Sequence, residues 1–564
     1  MFNASDFLFV PLGGSGEIGM NANLYHYEGR WLMVDLGISF PDDSMPGIDV
    51  VLPDLSFIES HRDKLDGLVL THGHEDHLGA IPYMWSRLGC PVYGSAFTLA
   101  LLRRKLAENG NQLDIPLIEL SPGMVQDIGA FSVEMVGMAH SIPDPTSLAI
   151  RCDAGTVLHT GDWKFDETPG LGTDTDSTRL AEIGDEGVLA MIGDSTNAMV
   201  EGRTGSEAEA EAGLRDVIAN ASGRVAISCF SSNVARIQSI INAARANDRS
   251  VAVVGRAIKR AISAAQEVGY LRDLPDFVAE GDIELLPREN IVILCTGTQG
   301  EPRAAMAKIA SGTHESVTLD PGDTVVFSSR QIPGNEPAIA RVQDALIRRK
   351  IVLITDEDAP VHVSGHPSRE EMAEMYGLVR PRIAIPVHGT ARHLVAHAEL
   401  AEHCQVHQTL LPDNGTVIRL AKGGKQGGDA EIIDNVKTGA LTHEKGKIVE
   451  IQSDMMRARR RMLWNGVVTG SLVMNRNGGL CAVPAVSQTG ISNEADAADY
   501  VAAASLAVED ALAAMGRSAR CDDSKVEEIA GQALRRVARS MFGLRPIVHI
   551  HIMRLDAEDL QGVA

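Results

Sequence analysis

The sequence predicts an α/β protein built from more than one domain, on three observations. Short apolar runs ending in Gly, Asp or His fill the first part of the chain, with helical patterns between some of them. The alternation of strand and helix starts afresh after about residue 206. A last stretch reads as strands, then Ala-rich helices, then one more strand. Runs at 7–12, 31–36, 67–71, 131–137, 156–161 and 188–193 read as strands, and 79–88 and 95–109 as helices. Strands packed with helices in this alternation give layered α/β architecture. Residues 206–221 read as a charged, Ala-rich helix. Strands at 224–229, 250–254, 291–295 and 324–327 follow, with helices starting at Asn233 and Ala257, so a second α/β unit ends near 358. Strand texture resumes at 361–364 and 382–387. The Gly-rich stretch 421–430 reads as a linker. Beyond about 464, strands, helices at 496–516 and 523–541 and the strand 547–553 form a small C-terminal α+β domain.

The chain has 564 residues, 44% hydrophobic and 22% charged, which is a globular balance with apolar material for several cores. Seven scattered cysteines without a CxxC pair exclude a disulfide scaffold and a cysteine zinc knuckle, and suit a reducing cytoplasm. No apolar run is long enough to span a membrane, and the first residues lack the basic start and apolar core of a signal peptide. A net charge of −24 weighs against a nucleic-acid partner, although a local basic groove can coexist with an acidic exterior.

The most informative segment is Thr71-His72-Gly73-His74-Glu75-Asp76-His77, directly after a strand. Imidazole and carboxylate are the ligand types of zinc and similar ions. Side chains at i and i+2 of extended chain share a face, so His72 and His74 can hold one metal, and Asp76 and His77, past the turn, a second. His140, Asp162 and His388 each follow a predicted strand, where ligands from different strands converge. The competing reading is a solvated histidine-rich loop.

HxHxDH followed by distant His, Asp and His is the signature of the metallo-β-lactamase superfamily. The chain also carries Leu12-Gly13-Gly14-Ser15-Gly16-Glu17-Ile18-Gly19, Gly193-Asp194-Ser195-Thr196-Asn197 and Phe230-Ser231-Ser232-Asn233-Val234-Ala235-Arg236-Ile237. Thr296-Gly297-Thr298-Gln299-Gly300-Glu301-Pro302, Ile332-Pro333-Gly334-Asn335-Glu336, Val363-Ser364-Gly365-His366 and Pro386-Val387-His388-Gly389 complete the set. With these motifs the sequence resembles the bacterial ribonuclease J family of β-CASP nucleases over nearly its whole length. It departs from the family at Thr390, where an acidic residue is usual, and at Pro367, where a small residue is usual.

The resemblance implies a metallo-β-lactamase αββα sandwich split over 1–206 and 359–430, an inserted β-CASP domain at 207–358, a linker at 431–463 and a C-terminal domain at 464–564. It implies two zinc ions per chain, with Mn2+ or Mg2+ as ions that can also support activity. His72, His74 and His140 would hold one ion, Asp76, His77 and His388 the other, and Asp162 would bridge them. Asp76, Asp162, Asp194 and His366 would be the catalytic residues, with Asp194 orienting His366. Ser231, Ser232, Asn233, Ser364, Gly365 and His366 would contact the RNA and its 5′ phosphate. The competing readings are a turn role for Asp194, a core role for His366 and helix capping for Ser231–Asn233.

The implied activity is 5′-to-3′ exonuclease action preferring 5′-monophosphate ends plus endonuclease action, in cytoplasmic RNA maturation and decay. The implied partners are RNA, a second copy in a homodimer or homotetramer, and other RNA-decay proteins. Basic groups at Arg256, Lys259 and Arg260, at Arg348, Arg349 and Lys350, and at Arg457, Arg459, Arg460 and Arg461 either line an RNA groove or sit on solvated helix faces. A DNA-repair nuclease is disfavoured by His388, which DNA-acting relatives usually lack. A small-ester hydrolase is disfavoured by the inserted α/β unit, and a non-catalytic RNA scaffold by the full set of seven ligands.

Overall fold

The computed structural model describes residues 3–41, 45–108, 114–332, 334–424 and 428–555. Pro333 of the Ile332–Glu336 motif and residues 425–427 of the expected linker lie outside the described residues. The chain forms two compact units, Met1–Phe40 with Val50–Leu441, and Pro41–Asp49 with Thr442–Ala564.

In the first unit, two mixed sheets share one core. One has eight strands in the order Glu431–Asn435, Thr416–Ala421, Phe7–Gly13, Ala22–Tyr27, Arg30–Val34, Leu65–Val69, Val92–Gly94 and Leu117–Glu119. The other has seven: Gln408–Thr409, Ile383–Val387, Ala190–Asp194, Gly155–His159, Thr146–Cys152, Phe131–Gly137 and Val125–Ile128. Alternate side chains of a strand point to opposite faces. In the second sheet Val133, Leu148, Val157, Ile192 and Ile385 face the first sheet, meeting Phe7, Phe9, Tyr25, Leu32 and Val69. Their neighbours Ala149, Leu158, Met191 and Ala384 face outward onto the helices Ser177–Glu186, Arg369–Val379 and Ala391–His403. The αββα sandwich follows directly from this alternation.

The same unit contains the inserted α/β body. Its five parallel strands run in the order Ser250–Val254, Ile291–Cys295, Val225–Ser228, Thr324–Phe327 and Val352–Ile354. These strands are buried on both faces, so they are continuously apolar. Val225, Ile227, Val292 and Leu294 pack on one side, and Ala226, Ile293, Cys295, Val325 and Phe327 on the other. The second unit has a three-stranded sheet in which Val467–Asn475 lies between Ala485–Thr489 and Ile547–Leu555. Val468, Leu472 and Met474 on one face of it are packed with Tyr500, Val508, Val526 and Leu534 of the helices Glu494–Ala513 and Asp523–Phe542.

Three sequence expectations need correction. The strands on either side of 421–430, Thr416–Ala421 and Glu431–Asn435, are antiparallel neighbours, so this stretch joins two strands of one sheet and is not a domain boundary. Residues 431–463 are not a linker, since they carry the strands Glu431–Asn435, Ala440–Glu444 and Lys447–Glu450 and most of the helix Asp454–Asn465. Residues 361–364 form no strand. The carbonyl of Val361 instead accepts from the Arg236 guanidinium (2.9 Å) and the Ser328 hydroxyl (2.7 Å), so side chains satisfy backbone that a ladder would otherwise pair.

Candidate metal centre

All seven predicted ligands converge at one rim of the sandwich, beyond the carboxyl ends of its strands. His72 and His74 lie in the loop after Leu65–Val69, and Asp76 and His77 on the short helix Glu75–Leu78 that this loop enters. His140 follows Phe131–Gly137 and Asp162 follows Gly155–His159. His388 follows Ile383–Val387 in the left-handed region (φ 53°), its amide donating to the Gly14 carbonyl (2.7 Å). Gly155–His159, Ala190–Asp194 and Ile383–Val387 are consecutive parallel neighbours, which places Asp162, Asp194 and His388 side by side.

Two four-residue donor groups result, His72, His74, His140 and Asp162 in one, and Asp76, His77, Asp162 and His388 in the other, beside a smaller third of Asp162, Asp194 and His366, each with its donor atoms within 4.8 Å of one another. Asp162 belongs to all three. His72 Nε2 lies 3.0 Å from His74 Nδ1, His140 Nε2 lies 3.2 Å from the same atom, and the Asp162 carboxylate is 3.6 and 3.8 Å from His72 and His140. In the second group, His77 Nε2 is 3.2 Å from Asp162 and 3.6 Å from Asp76, and His388 Nε2 is 3.6 Å from Asp76. A tetrahedron with ligands at about 2.0–2.1 Å has edges of roughly 3.4 Å, so both groups have the dimensions of a divalent metal site.

The hydrogen bonds behind the ligands fix which ring nitrogens face the centre. Asp35 holds His77 Nδ1 (2.8 Å) and also takes bonds from the Thr71 amide and hydroxyl (2.8 Å each). Since the Thr71 hydroxyl donates to Asp35, it accepts from His72 Nδ1 (3.0 Å). His140 Nδ1 donates to the Gly365 carbonyl. The Nε2 atoms of His72, His77 and His140 therefore face inward, those of His72 and His140 toward His74 Nδ1, and that of His77 toward the Asp162 and Asp76 carboxylates with Asn21 Nδ2 at 3.1 Å. Asp162 Oδ1 is buried without a hydrogen-bond partner. A cation satisfies all of these groups at once, so the donor set fits divalent metal.

Electrostatics agree. Burial depresses the His72 and His140 rings well below the usual imidazole range and His74 to about 3, which keeps them neutral as ligands must be. Burial also opposes charge on His77, but Asp162, Asp76 and Asp35 outweigh it and hold that ring well above its ordinary value. The same three carboxylates attract a divalent ion.

Asp194 and His366 stand beside this centre. Asp194 Oδ1 accepts from the Thr196 amide (2.9 Å) and hydroxyl (2.7 Å), while Oδ2 holds His366 Nδ1 at 2.8 Å. The turn role and the orienting role thus use different oxygens. The His366 side chain is 22% exposed, so it faces the open side of the site and is not a core histidine. It reaches that position from an irregular segment and not from a strand. Its carbonyl accepts from Asn197 (3.0 Å) and Thr204 (2.8 Å). The Ser364 hydroxyl accepts from Asn197 (2.9 Å) and from the His366 amide (3.1 Å), and still has a proton to donate outward.

Gly365 is needed for close approach. A Cβ there would lie 2.6 Å from His140 Cε1 and 2.7 Å from Nδ1. Gly365→Ala should therefore displace His140, weaken metal binding about tenfold or more, and leave the fold intact. Metal titration of the variant beside its melting curve checks this, and wild-type affinity would contradict it.

Asn233 caps the helix Val234–Ala246, its Oδ1 accepting from the Arg236 amide at 2.8 Å, and Ser231 and Ser232 are half-buried in the turn before it. Thr390 likewise caps Ala391–His403, with its hydroxyl 2.8 Å from His393 Nδ1. Several basic residues of the predicted clusters are occupied locally. Lys259 pairs with Glu280 (2.6 Å), Arg260 with Glu108 and Arg459 with Glu444, while Arg349 donates to the Leu319 carbonyl (2.7 Å). Those residues sit on ordinary paired faces.

Sequence reasoning missed Asp35, Asn21 and Arg330. Asn21 Nδ2 donates to the Asp76 carbonyl (3.2 Å) and lies 2.6 Å from His388 Nδ1, joining the two halves of the second donor group. Arg330 is exposed and donates to Asn197 Oδ1 (3.1 Å), which places a guanidinium from the inserted body next to the residue that holds His366. The signal for Asp35 was its place directly after a strand, which it shares with the predicted ligands.

Comparison with known proteins matches four family models to this chain. They are the metallo-beta-lactamase superfamily at residues 16–197, the ribonuclease J beta-CASP domain at 222–346, the Zn-dependent metallo-hydrolase RNA specificity domain at 359–409 and the ribonuclease J C-terminal domain at 454–555. Ribonuclease J of Sinorhizobium meliloti is 41% identical over 98% of this chain and 98% of that relative. Ribonuclease J of Mycolicibacterium smegmatis is 40% identical over 95% of this chain and 94% of its own length, and ribonuclease J2 of Bacillus subtilis 34% identical over 84% and 85%. A solved structure of a protein of unknown function from Enterococcus faecalis V583 shares the fold, with a TM-score of 0.52 at 17% identity over 73% of this chain and 99% of that one. Full-length likeness at this identity, together with a shared-carboxylate centre on the metallo-β-lactamase sandwich, establishes that the chain belongs to the ribonuclease J family.

Proposed function

We propose that this chain is a two-zinc ribonuclease that degrades RNA 5′-to-3′ from 5′-monophosphate ends and also cuts internally, in cytoplasmic RNA maturation and decay. The observation that carries the reading is Asp162, one buried carboxylate common to two four-residue donor groups. Histidine and carboxylate donors at tetrahedral spacing favour zinc, with Mn2+ or Mg2+ able to support activity. When bound, two such ions would activate water as a nucleophile near neutral pH and offset charge developing on a phosphodiester.

The chain's own residues do the rest. His72, His74 and His140 would hold one ion, Asp76, His77 and His388 the other, and Asp162 would be shared between them. Asp194 fixes His366 through Nδ1, so Nε2 faces the open side of the site and can donate a proton to the departing oxygen or to a phosphate oxygen. Burial opposes charge on His366, but Asp194 and Asp162 outweigh it and raise the ring to about 9, so the proton is present at neutral pH. The Ser364 hydroxyl and the Arg330 guanidinium supply donors beside it. Ser231 and Ser232 precede a 13-residue helix whose N-terminus favours an anion and can receive the 5′ phosphate. Cationic Arg330 at the rim gives RNA a local foothold on a chain of net charge −24. A homodimer or homotetramer, and association with other RNA-decay proteins, complete the reading. Among the described residues, no helix is long and apolar enough to cross a membrane.

The test is incubation of purified protein with 5′-monophosphate, 5′-triphosphate and 5′-hydroxyl RNAs and with matched DNA. Stepwise degradation of the monophosphate RNA is expected, at least about tenfold faster than the triphosphate, because a site sized for one phosphate excludes two more. Equal exonuclease rates on both ends, or equal cleavage of DNA, would refute the reading.

A further inference from the structure

We infer that His397 is a positioning residue, and that a buried chain Tyr376–His397–Ser195 fixes the mutual register of the three segments carrying Asp194, His366 and His388. The inference rests on the functional reading above. His397 Nδ1 lies 2.9 Å from the Ser195 hydroxyl and Nε2 lies 2.9 Å from the Tyr376 hydroxyl, and all three side chains are buried. Each member belongs to a different segment of the site. Ser195 directly follows Asp194 at the end of Ala190–Asp194. Tyr376 sits on Arg369–Val379, the helix entered just after His366, and His397 on Ala391–His403, the helix entered just after His388.

The surrounding layer is apolar: Met191, Met372, Met375, Leu400 and Ala401 pack between the same sheet and the same two helices. Apolar contacts are non-directional and tolerate small slides of a helix along a sheet. Two hydrogen bonds through one rigid ring do not, because a small slide leaves buried polar groups unpaired. Burial lowers the His397 pKa to about 4, so the ring keeps one N–H and one lone pair and can join one donor to one acceptor. The strand makes room for it. A Cβ at Gly193 would lie 2.9 Å from His397 Cε1, so a side chain there would push the ring, and its helix, away from Ser195.

The experiment uses full-length, zinc-loaded protein and the variants His397→Phe, Tyr376→Phe and Ser195→Ala, with Leu400→Ala as a control in the same layer. Tyr376→Phe and Ser195→Ala each delete one oxygen and so avoid the risk that His397→Phe fails to fold. Single-turnover cleavage of 5′-monophosphorylated RNA, RNA affinity, zinc per chain and melting temperature are measured together. The polar variants should lose about tenfold in single-turnover rate, the scale of a small misplacement of catalytic groups, with zinc and RNA affinity unchanged. Leu400→Ala should lower melting and leave the rate alone. In a crystal structure of the Ser195→Ala, Tyr376→Phe double variant, the 2.8 Å contact between His366 and Asp194 should be broken. Polar variants that only lower melting, with wild-type rate and that contact intact, would overturn the inference. A wild-type protein that cleaves no RNA would refute the functional reading instead, and the crystallographic contact would still decide the positioning claim.

Discussion

Asp162→Asn should empty the centre of at least one of its two ions and lower single-turnover RNA cleavage by about 10³-fold or more, roughly 4 kcal/mol of barrier. The reason is local. Asp162 is the one carboxylate within reach of both donor groups, and its Oδ1 has no protein partner. Asn keeps the shape but removes the negative charge that offsets two cations. Burial raises the cost of the Asp162 charge, yet His388, His77 and His366 outweigh it and hold the carboxyl well below its ordinary range. The site therefore favours the carboxylate over the neutral acid. The fold should survive, because exchanging a buried charge for a neutral isostere also removes a desolvation penalty. Elemental analysis, single-turnover kinetics and melting on the same preparation check all three parts. Two retained ions with a wild-type rate would contradict the assignment.

His366→Ala is the second large effect. Single-turnover cleavage should fall by about 10²–10⁴-fold, the usual contribution of a positioned proton donor or electrostatic partner. Both ions should stay, since the ring's Nδ1 is engaged by Asp194 and no ligand depends on it for a hydrogen bond. Melting should change little, because the side chain is partly open to solvent and its segment is held through its backbone by Asn197 and Thr204. A loss of melting temperature with an unchanged single-turnover rate would assign His366 to structure and leave the proton donor elsewhere.

What the sequence made legible follows from how each feature encodes itself. The ligands of His72–His77 are dense in one stretch and need no tertiary information. His140, Asp162 and His388 are recognisable because each follows a strand whose apolar run is itself readable. The strands at 131–137, 250–254, 291–295 and 324–327 match the structure residue for residue, since buried strands bounded by polar loops have sharp edges. Asp35 was missed because a carboxylate after a strand is common, and only its bonds to Thr71 and His77, distant in sequence, distinguish it. Asn21 meets His388 across 367 residues of sequence, a contact no local pattern reports.

The same limit explains the errors. Glycines at 421–430 signal a backbone turn, and a connection between two strands of one sheet needs one as much as a domain boundary does. Val361–Ser364 has the β-branched composition of a strand, but Arg236 and Ser328 take the Val361 carbonyl. The basic residues at 259, 260, 349 and 459 looked free in sequence because their acidic or carbonyl partners are supplied by other parts of the fold.

The central claim is that two ions sharing Asp162 enable this chain to cleave RNA. Its most direct test is zinc per chain measured by elemental analysis across a chelation and add-back series, with cleavage of 5′-monophosphorylated RNA followed on the same samples. The account predicts about two zinc ions per chain at full activity, loss of cleavage as they are removed, and recovery on return of the metal. Full cleavage by protein carrying no metal would contradict it.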